Sequence, residues 1–259
     1  MSRKKLPLLG ITMGDPGGIG PEIAAKALNQ SDLYAICRPL IIGDADILAD
    51  AVRFSGLKLR IAAVDNPEAG HFRHGILDVL DLKNMPIEQL QCKTVTPEQG
   101  RASFEYIARA IELAMAHAID GTVTGPINKA ALNAGGHHYA GHTEIYGDLT
   151  GTQDYAMMLV DRGFRVAHVS THVSLAEACR RVKTPRVLRV IELTQDALKQ
   201  VGIEQPRIAV AGLNPHCGEG GLFGNEDDDE IAPAVAAALA QGIGAEGPIQ
   251  IGRASCRER

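Results

Sequence analysis

Two histidines stand just after apolar runs: His172 in Arg165-Val-Ala-His-Val-Ser-Thr-His172, and His216 in Ile208-Ala-Val-Ala-Gly-Leu-Asn-Pro-His216. Each run reads as a buried strand, which puts both imidazoles where a strand gives way to a loop. Open α/β sheets bind ligands at the carboxyl ends of their strands. Two neutral imidazoles converging there suit a divalent metal better than a core. A lone histidine is usually a satisfied polar residue, so the repeated context is what carries weight. A catalytic ion typically takes about three protein ligands and keeps a position open for substrate; only two are visible. His168 lies within its run and reads as a core or sheet-face residue. Cys217, adjacent to His216, shares coordination awkwardly and reads as structural.

Two further motifs could hold an anion. In Thr124-Gly-Pro-Ile-Asn-Lys129 followed by Gly135-Gly-His-His-Tyr-Ala-Gly-His-Thr-Glu144, a lysine, an imidazole (His142) and a hydroxyl (Thr143) share a glycine-flanked stretch. Neighbouring N–H, O–H and imidazolium donors are what a phosphate monoester needs. Thr143 as a helix cap is the competing reading, and His137 and His138 are expected on the loop surface. In Met13-Gly-Asp-Pro-Gly-Gly-Ile-Gly-Pro-Glu22 a strand enters a glycine-rich turn and a helix follows. Gly14, Asp15 and Gly18 are candidate cofactor contacts, since such turns bring backbone N–H groups close to a ligand. The spacing is not that of the dinucleotide fingerprint, and no Walker lysine follows. Tight strand–helix packing explains the turn equally well, and Asp15 is a turn former or a site carboxylate. The acidic stretch Phe223-Gly-Asn-Glu-Asp-Asp-Asp-Glu230 reads as a solvated helix start that complements the macrodipole.

The elements that must position these residues alternate β-rich runs with helical patterns, which predicts an α/β fold with a largely parallel sheet in two lobes. Candidate strands are 8–13, 39–42, 121–124, 156–160, 166–170 and 207–212. Ile107, Ile111, Ala114 and Ala118 keep helical spacing, as do Val187, Val190, Ile191, Leu198 and Val201. The second of these helices is expected to start after Thr184, with Pro185 at a favourable first position, and to stop at Gly202. Ser174-Leu-Ala-Glu177 resembles a capping box. No repeat or flexible linker interrupts the chain.

The 259 residues can bury a substantial core. A net charge of −5 gives no reason to expect nucleic acid or a membrane surface as partner. Five widely spaced cysteines without a C-x-x-C pair point to reduced thiols and a cytoplasmic location. The apolar run at the start is too short for a signal peptide or membrane span. The stretch 251–259, Ile-Gly-Arg-Ala-Ser-Cys-Arg-Glu-Arg, is basic and non-periodic and resembles a translated sequencing adapter. Residues 1–250 are therefore expected to form one α/β domain and 251–259 a non-native tail, an ordinary frayed terminus being the alternative.

The blocks Ile11-Thr-Met-Gly-Asp-Pro with Gly18-Ile-Gly-Pro-Glu22, Pro126-Ile-Asn-Lys-Ala, Gly141-His-Thr-Glu, Ser170-Thr-His and Leu213-Asn-Pro-His-Cys-Gly-Glu, in this order, resemble the 4-hydroxythreonine-4-phosphate dehydrogenase (PdxA) family over almost the whole chain. The resemblance implies an isocitrate/isopropylmalate dehydrogenase-like α/β fold. It also implies a homodimer with a shared active site, NAD (or NADP) as cofactor, and a divalent metal such as Zn, Mg, Co or Mn. His172 and His216 would be metal ligands; His142 and Thr143 would contact the phosphorylated hydroxy-acid substrate. A third metal histidine and the catalytic residues are expected in a C-terminal segment that this sequence lacks. The implied reaction is oxidation and decarboxylation of a 4-phosphorylated 3-hydroxy acid, first 4-phosphohydroxy-L-threonine of pyridoxal 5′-phosphate synthesis. A phospho-threonate or phospho-erythronate dehydrogenase of sugar-acid catabolism is the alternative, because Asp154-Tyr-Ala-Met and Val169-Ser-Thr-His are similar to that branch. A non-catalytic ligand-binding homologue and an acyl-phosphate transferase are the readings from other classes.

Overall fold

The computed structural model describes residues 6–251, and the expected tail lies outside them except for Ile251. The chain divides into two compact units, Met1–Thr152 and Gln153–Arg259.

The first unit is built on five parallel strands. In chain order it runs β1 (Leu8–Thr12), α1 (Gly20–Leu28), β2 (Arg38–Gly43), α2 (Ala45–Phe54), β3 (Arg60–Val64) and β4 (Ile76–Asp81). Then follow α3 (Pro97–Met115), β5 (Gly121–Thr124), α4 (Lys129–Ala134) and α5 (His142–Leu149). The sheet order is β3-β4-β2-β1-β5. A parallel sheet is covered on both faces, so its central strands read as continuous apolar runs rather than alternating ones. In β2, Leu40, Ile41 and Ile42 have no exposed surface, and Leu48, Leu77 and Val79 pack in the same cluster. Helix α3 starts where Thr96 accepts the Gln99 N–H ahead of Pro97. It buries Tyr106, Ile107, Ala110 and Ile111. The Tyr106 hydroxyl donates to the buried carboxylate of Asp44, which flanks α2.

The second unit contains β6 (Met158–Asp161), β7 (Phe164–Ala167), α6 (Leu175–Arg181), α7 (Thr184–Gln200), β8 (Ile208–Ala211), α8 (Ala232–Ala240) and β9 (Ala245–Ile249). Strands β6 and β7 form an antiparallel hairpin, and β8 pairs with β9 in parallel. Helices α7 and α8 supply the core, with Val187, Ile191, Ala234, Val235 and Ala238 in one cluster. Ser174 caps α6 by accepting the Glu177 N–H, and Pro185 sits in the first turn of α7.

All six expected strands are present, but the two preceding the histidines differ from expectation. Neither is a buried strand: both alternate between partly buried and exposed side chains. Among the described residues β7 pairs only with β6, and β8 only with β9. In β8 only alternate side chains, Ile208 and Val210, pack against the α7–α8 cluster, as in a sheet covered on one face. Strand β7 also ends at Ala167, short of Ser170, which leaves His168 in the following loop.

Candidate active site

In the first unit, three of the singled-out motifs meet at the carboxyl edge of β1 and β5. The turn after β1 and the loop after β5 pack backbone to backbone. The Asp15 N–H donates to the Pro126 carbonyl at 2.9 Å, and the Gly125 N–H to the Thr12 carbonyl at 3.0 Å. Gly14 has φ +79°, and a Cβ on it would collide with the Pro126 carbonyl oxygen. The Asp15 carboxylate accepts the Gly17 N–H at 3.0 Å, closing the turn, and burial raises its pKa against the effect of that hydrogen bond. Gly18 is exposed, with Asp15 Cβ as the nearest atom a side chain there would meet.

His142 is the first residue of α5, after Gly141, whose φ of 175° is extended backbone. Its ring hydrogen-bonds the Gly125 backbone, yet burial dominates and lowers its pKa. The Nε2 atom is buried and has no hydrogen-bond partner among the described residues. A buried polar atom left unpaired costs about 1–3 kcal/mol, a cost that a ligand accepting or donating there would remove. Thr143 lies half-buried inside the first turn of α5, whose cap is Gly141, so the capping reading of Thr143 does not hold. Lys129 is exposed at the start of α4, where Asn128 accepts the Ala131 N–H. His138 is on the surface as expected. His137 instead stacks on Phe104, with ring centroids 3.6 Å apart, because the imidazole offers a flat apolar face to a partly buried aromatic.

In the second unit, both expected metal histidines are exposed and both have left-handed backbone, His172 at φ 57° and His216 at φ 54°. The chain before His172 is held by Arg186 of α7, whose guanidinium donates to the carbonyls of Val169 and Tyr155, each at 3.0 Å. His216 opens a run of positive φ: Cys217 at 54°, Gly218 at 77°, Glu219 at 44°, Gly220 at 65° and Gly221 at 90°. Three of these are not glycine, and each such residue costs on the order of 1–3 kcal/mol unless its surroundings hold it there. His216 and Cys217 line a cavity of about 380 Å³ with Glu246 and the 247–250 stretch at the end of β9. The Gln250 amide nitrogen is 3.4 Å from His216 Nδ1. Burial raises the Cys217 pKa, and the Asp227 charge adds to it.

The two histidines lie in the loops that follow β7 and β8, each five residues beyond the strand end rather than at it, and exposed imidazoles are borderline donors that suit a divalent ion. They are fewer than a catalytic ion takes, and among the described residues no three His, Cys, Asp or Glu side chains cluster to hold one. The donor set thus fits part of a metal site. Sequence reasoning missed Arg186 and Asp227, the residues that hold the two histidine loops. Arg186 left no signal, while Asp227 stood in the acidic run read as solvated.

A parallel α/β sheet with its candidate ligand groups at strand carboxyl ends is an architecture of nucleotide-dependent enzymes. The chain matches the family described as "Pyridoxal phosphate biosynthetic protein PdxA" over residues 35–252. It belongs to that family and is a dehydrogenase, an oxidoreductase. A Symbiobacterium thermophilum protein provisionally named D-threonate 4-phosphate dehydrogenase is 50% identical over 242 residues, 93% of this chain and 72% of the relative. The D-threonate 4-phosphate dehydrogenase of Cupriavidus necator is 46% identical over 245 residues, 94% and 73% of the two chains. A crystal structure of a 4-hydroxythreonine-4-phosphate dehydrogenase from Burkholderia phymatum superposes with a TM-score of 0.86 at 41% identity, covering 98% of this chain and 77% of that one.

Proposed function

We propose that the protein oxidises and decarboxylates a 3-hydroxy acid phosphorylated at C4, with D-threonate 4-phosphate as the substrate. The two relatives of 50% and 46% identity carry that name, which reverses the order drawn from sequence alone. The titles of the solved relatives keep 4-phosphohydroxy-L-threonine as the second reading. The two acids differ at C2, hydroxyl in one and amino group in the other.

The observation that carries the reading is the buried, unpartnered Nε2 of His142 at the carboxyl edge of the parallel sheet. The buried Nε2 atom of this imidazole is a polar atom open to a ligand, and Thr143 adds a hydroxyl in the same helical turn. Together with the N-terminal N–H groups of α5 they would bind and orient the phosphate. His172 and His216 would hold a divalent ion, which when bound supplies Lewis acidity to the substrate hydroxyl. The Gly14–Gly18 turn would contact NAD or NADP, which when bound would supply the hydride acceptor. The substrate loses the C3 hydrogen as hydride and the hydroxyl proton, giving a ketone. The carboxylate β to that ketone then leaves as carbon dioxide, and the resulting carbanion takes up a proton.

The exposed apolar side chains Leu159, Val160 and Phe164 of the β6–β7 hairpin support the expected homodimer by offering a surface to a second copy. No helix among the described residues is long and apolar enough to cross a membrane. Four described cysteines are free thiols, which supports a reducing, cytoplasmic setting.

The test is NADH formation with the 2-hydroxy and 2-amino phosphorylated acids side by side. A higher kcat/KM for the hydroxy acid is expected. Preference for the amino acid would restore the pyridoxal phosphate assignment, and turnover of neither would refute the proposal.

A further inference from the structure

The acidic run before α8 is not uniformly solvated. Asp228 and Asp229 are exposed, but Asp227 has no exposed surface. It begins a π-helical turn, Asp227–Ile231, a local widening often found at functional sites. Its carboxylate accepts the Leu213 N–H at 2.9 Å, the Asn214 N–H at 3.0 Å and the Asn214 side-chain amide at 3.0 Å. A buried carboxylate is tolerated when N–H donors satisfy it, and such charge-assisted bonds are stronger than neutral ones.

We infer that Asp227 is the positioning residue for His216. The anchored residues immediately precede Pro215, whose ring fixes φ, so few soft torsions separate the held Asn214 amide from the His216 imidazole. The left-handed run from His216 onwards needs such a restraint, since two of its first three residues are not glycine. Gly212 leaves room for the anchor: a Cβ there would lie 2.7 Å from both Asp227 Oδ1 and Cys217 Sγ. Glu226 reinforces the arrangement by accepting from the Asn214 amide at 2.8 Å. The carboxylate therefore works through the backbone: it fixes where the imidazole starts, without touching it. This inference rests on the reading of His216 as a metal ligand.

The experiment compares the full chain with D227N, H216A and G212A by Co²⁺ titration, read from the visible spectrum, and by hydrogen exchange. In D227N, amides of the 213–217 segment should exchange faster and Co²⁺ affinity should fall about tenfold or more, the scale of lost outer-shell support. In H216A, affinity should fall while the Leu213 and Asn214 amides keep their protection. Unchanged Co²⁺ binding in H216A would overturn the ligand reading. A loss in H216A with wild-type binding in D227N would overturn the positioning role alone. If D227N fails to fold, G212A decides through both readouts, because its Cβ meets Cys217 Sγ as closely as the carboxylate and only displacement of the carboxylate frees the Leu213 and Asn214 amides. Weakened Co²⁺ binding with faster exchange of those amides in folded G212A supports the role, and wild-type affinity despite faster exchange overturns it.

Discussion

Replacing Gly14 with alanine separates packing from ligand binding in the turn after β1. At φ +79° an L residue pays about 1–2 kcal/mol for left-handed backbone. The new Cβ also collides with the Pro126 carbonyl oxygen, which cannot retreat freely because it accepts the Asp15 N–H at 2.9 Å. Overpacking of that kind costs about 1–3 kcal/mol. The sum, about 2–5 kcal/mol, corresponds to a fall in Tm of about 4–20 °C at about 2–4 °C per kcal/mol for a chain of this size. Gly18→Ala is the control: φ is ordinary, the position is exposed and the nearest atom would be 3.4 Å away. Its effect on stability should stay within about 0.5 kcal/mol. If a dinucleotide lies against this turn, G18A should still weaken NAD binding by holding the ligand off the backbone. Thermal unfolding by circular dichroism and NAD titration of both variants are the assays. A G14A protein melting within about 1 °C of wild type, or a G18A protein as damaged as G14A, would refute the packing argument.

Because His172 is exposed, H172A should abolish turnover while leaving the unfolding midpoint within about 0.5 kcal/mol of wild type; a near-normal kcat would remove it from the site. H142A should raise KM for the phosphorylated acid, and equal KM values would take His142 out of phosphate binding. Burial lowers the His142 pKa, so the unfolded chain takes up a proton that the folded chain refuses. Its contribution to stability is therefore lost as pH falls below the ordinary histidine value, and H142Q should flatten that slope in urea unfolding across pH. The Glu230 pKa is pushed down to about 2 by Lys183 and by the Thr184 N–H and hydroxyl. Its stabilisation is present above the ordinary glutamate pKa and disappears as pH falls from there towards about 2. E230Q should make acid unfolding less steep in that window, and an unchanged acid limb would show that the ion pair contributes nothing.

The strands legible in the sequence included those whose apolar residues run uninterrupted, such as Leu40-Ile-Ile42, and short β-branched runs such as Gly121-Thr-Val-Thr124. Strand β4 was missed because Asp78 stands in its middle, and an acid inside an apolar run reads as a turn. The structure buries that carboxylate and satisfies it with the Phe72 N–H at 2.8 Å and the His71 ring at 2.9 Å, partners supplied by the preceding loop. Strand β3 begins with the exposed Arg60 and sits at the sheet edge, where the burial that marks a parallel strand is only partial. The misses at β3 and β4 have one cause: strand identity there is set by tertiary partners, which composition does not display. Strand β9 was missed for another reason, since the Gly247-Pro248 pair inside it reads as chain punctuation.

The same limit, more sharply drawn, governs the site. Ring type and strand context singled out His172 and His216 as candidates, and the glycine-flanked donors singled out His142, since these cues are local. What holds the imidazoles is not local. Asp227, Asp228 and Asp229 are chemically identical and adjacent, yet only the first faces inward. Which acid turns in depends on the phase of the helix start, and the π-helical turn shifts that phase away from the ordinary period of about 3.6 residues. A periodicity argument assumes the regular helix and so cannot choose among the three. The partners that make burial of Asp227 tolerable, the Leu213 and Asn214 amides, lie 14 and 13 residues earlier in the chain. An acidic run beside a strained ligand loop should therefore be read for one member that leaves solvent, and the backbone amides of the loop are where to look for its partners.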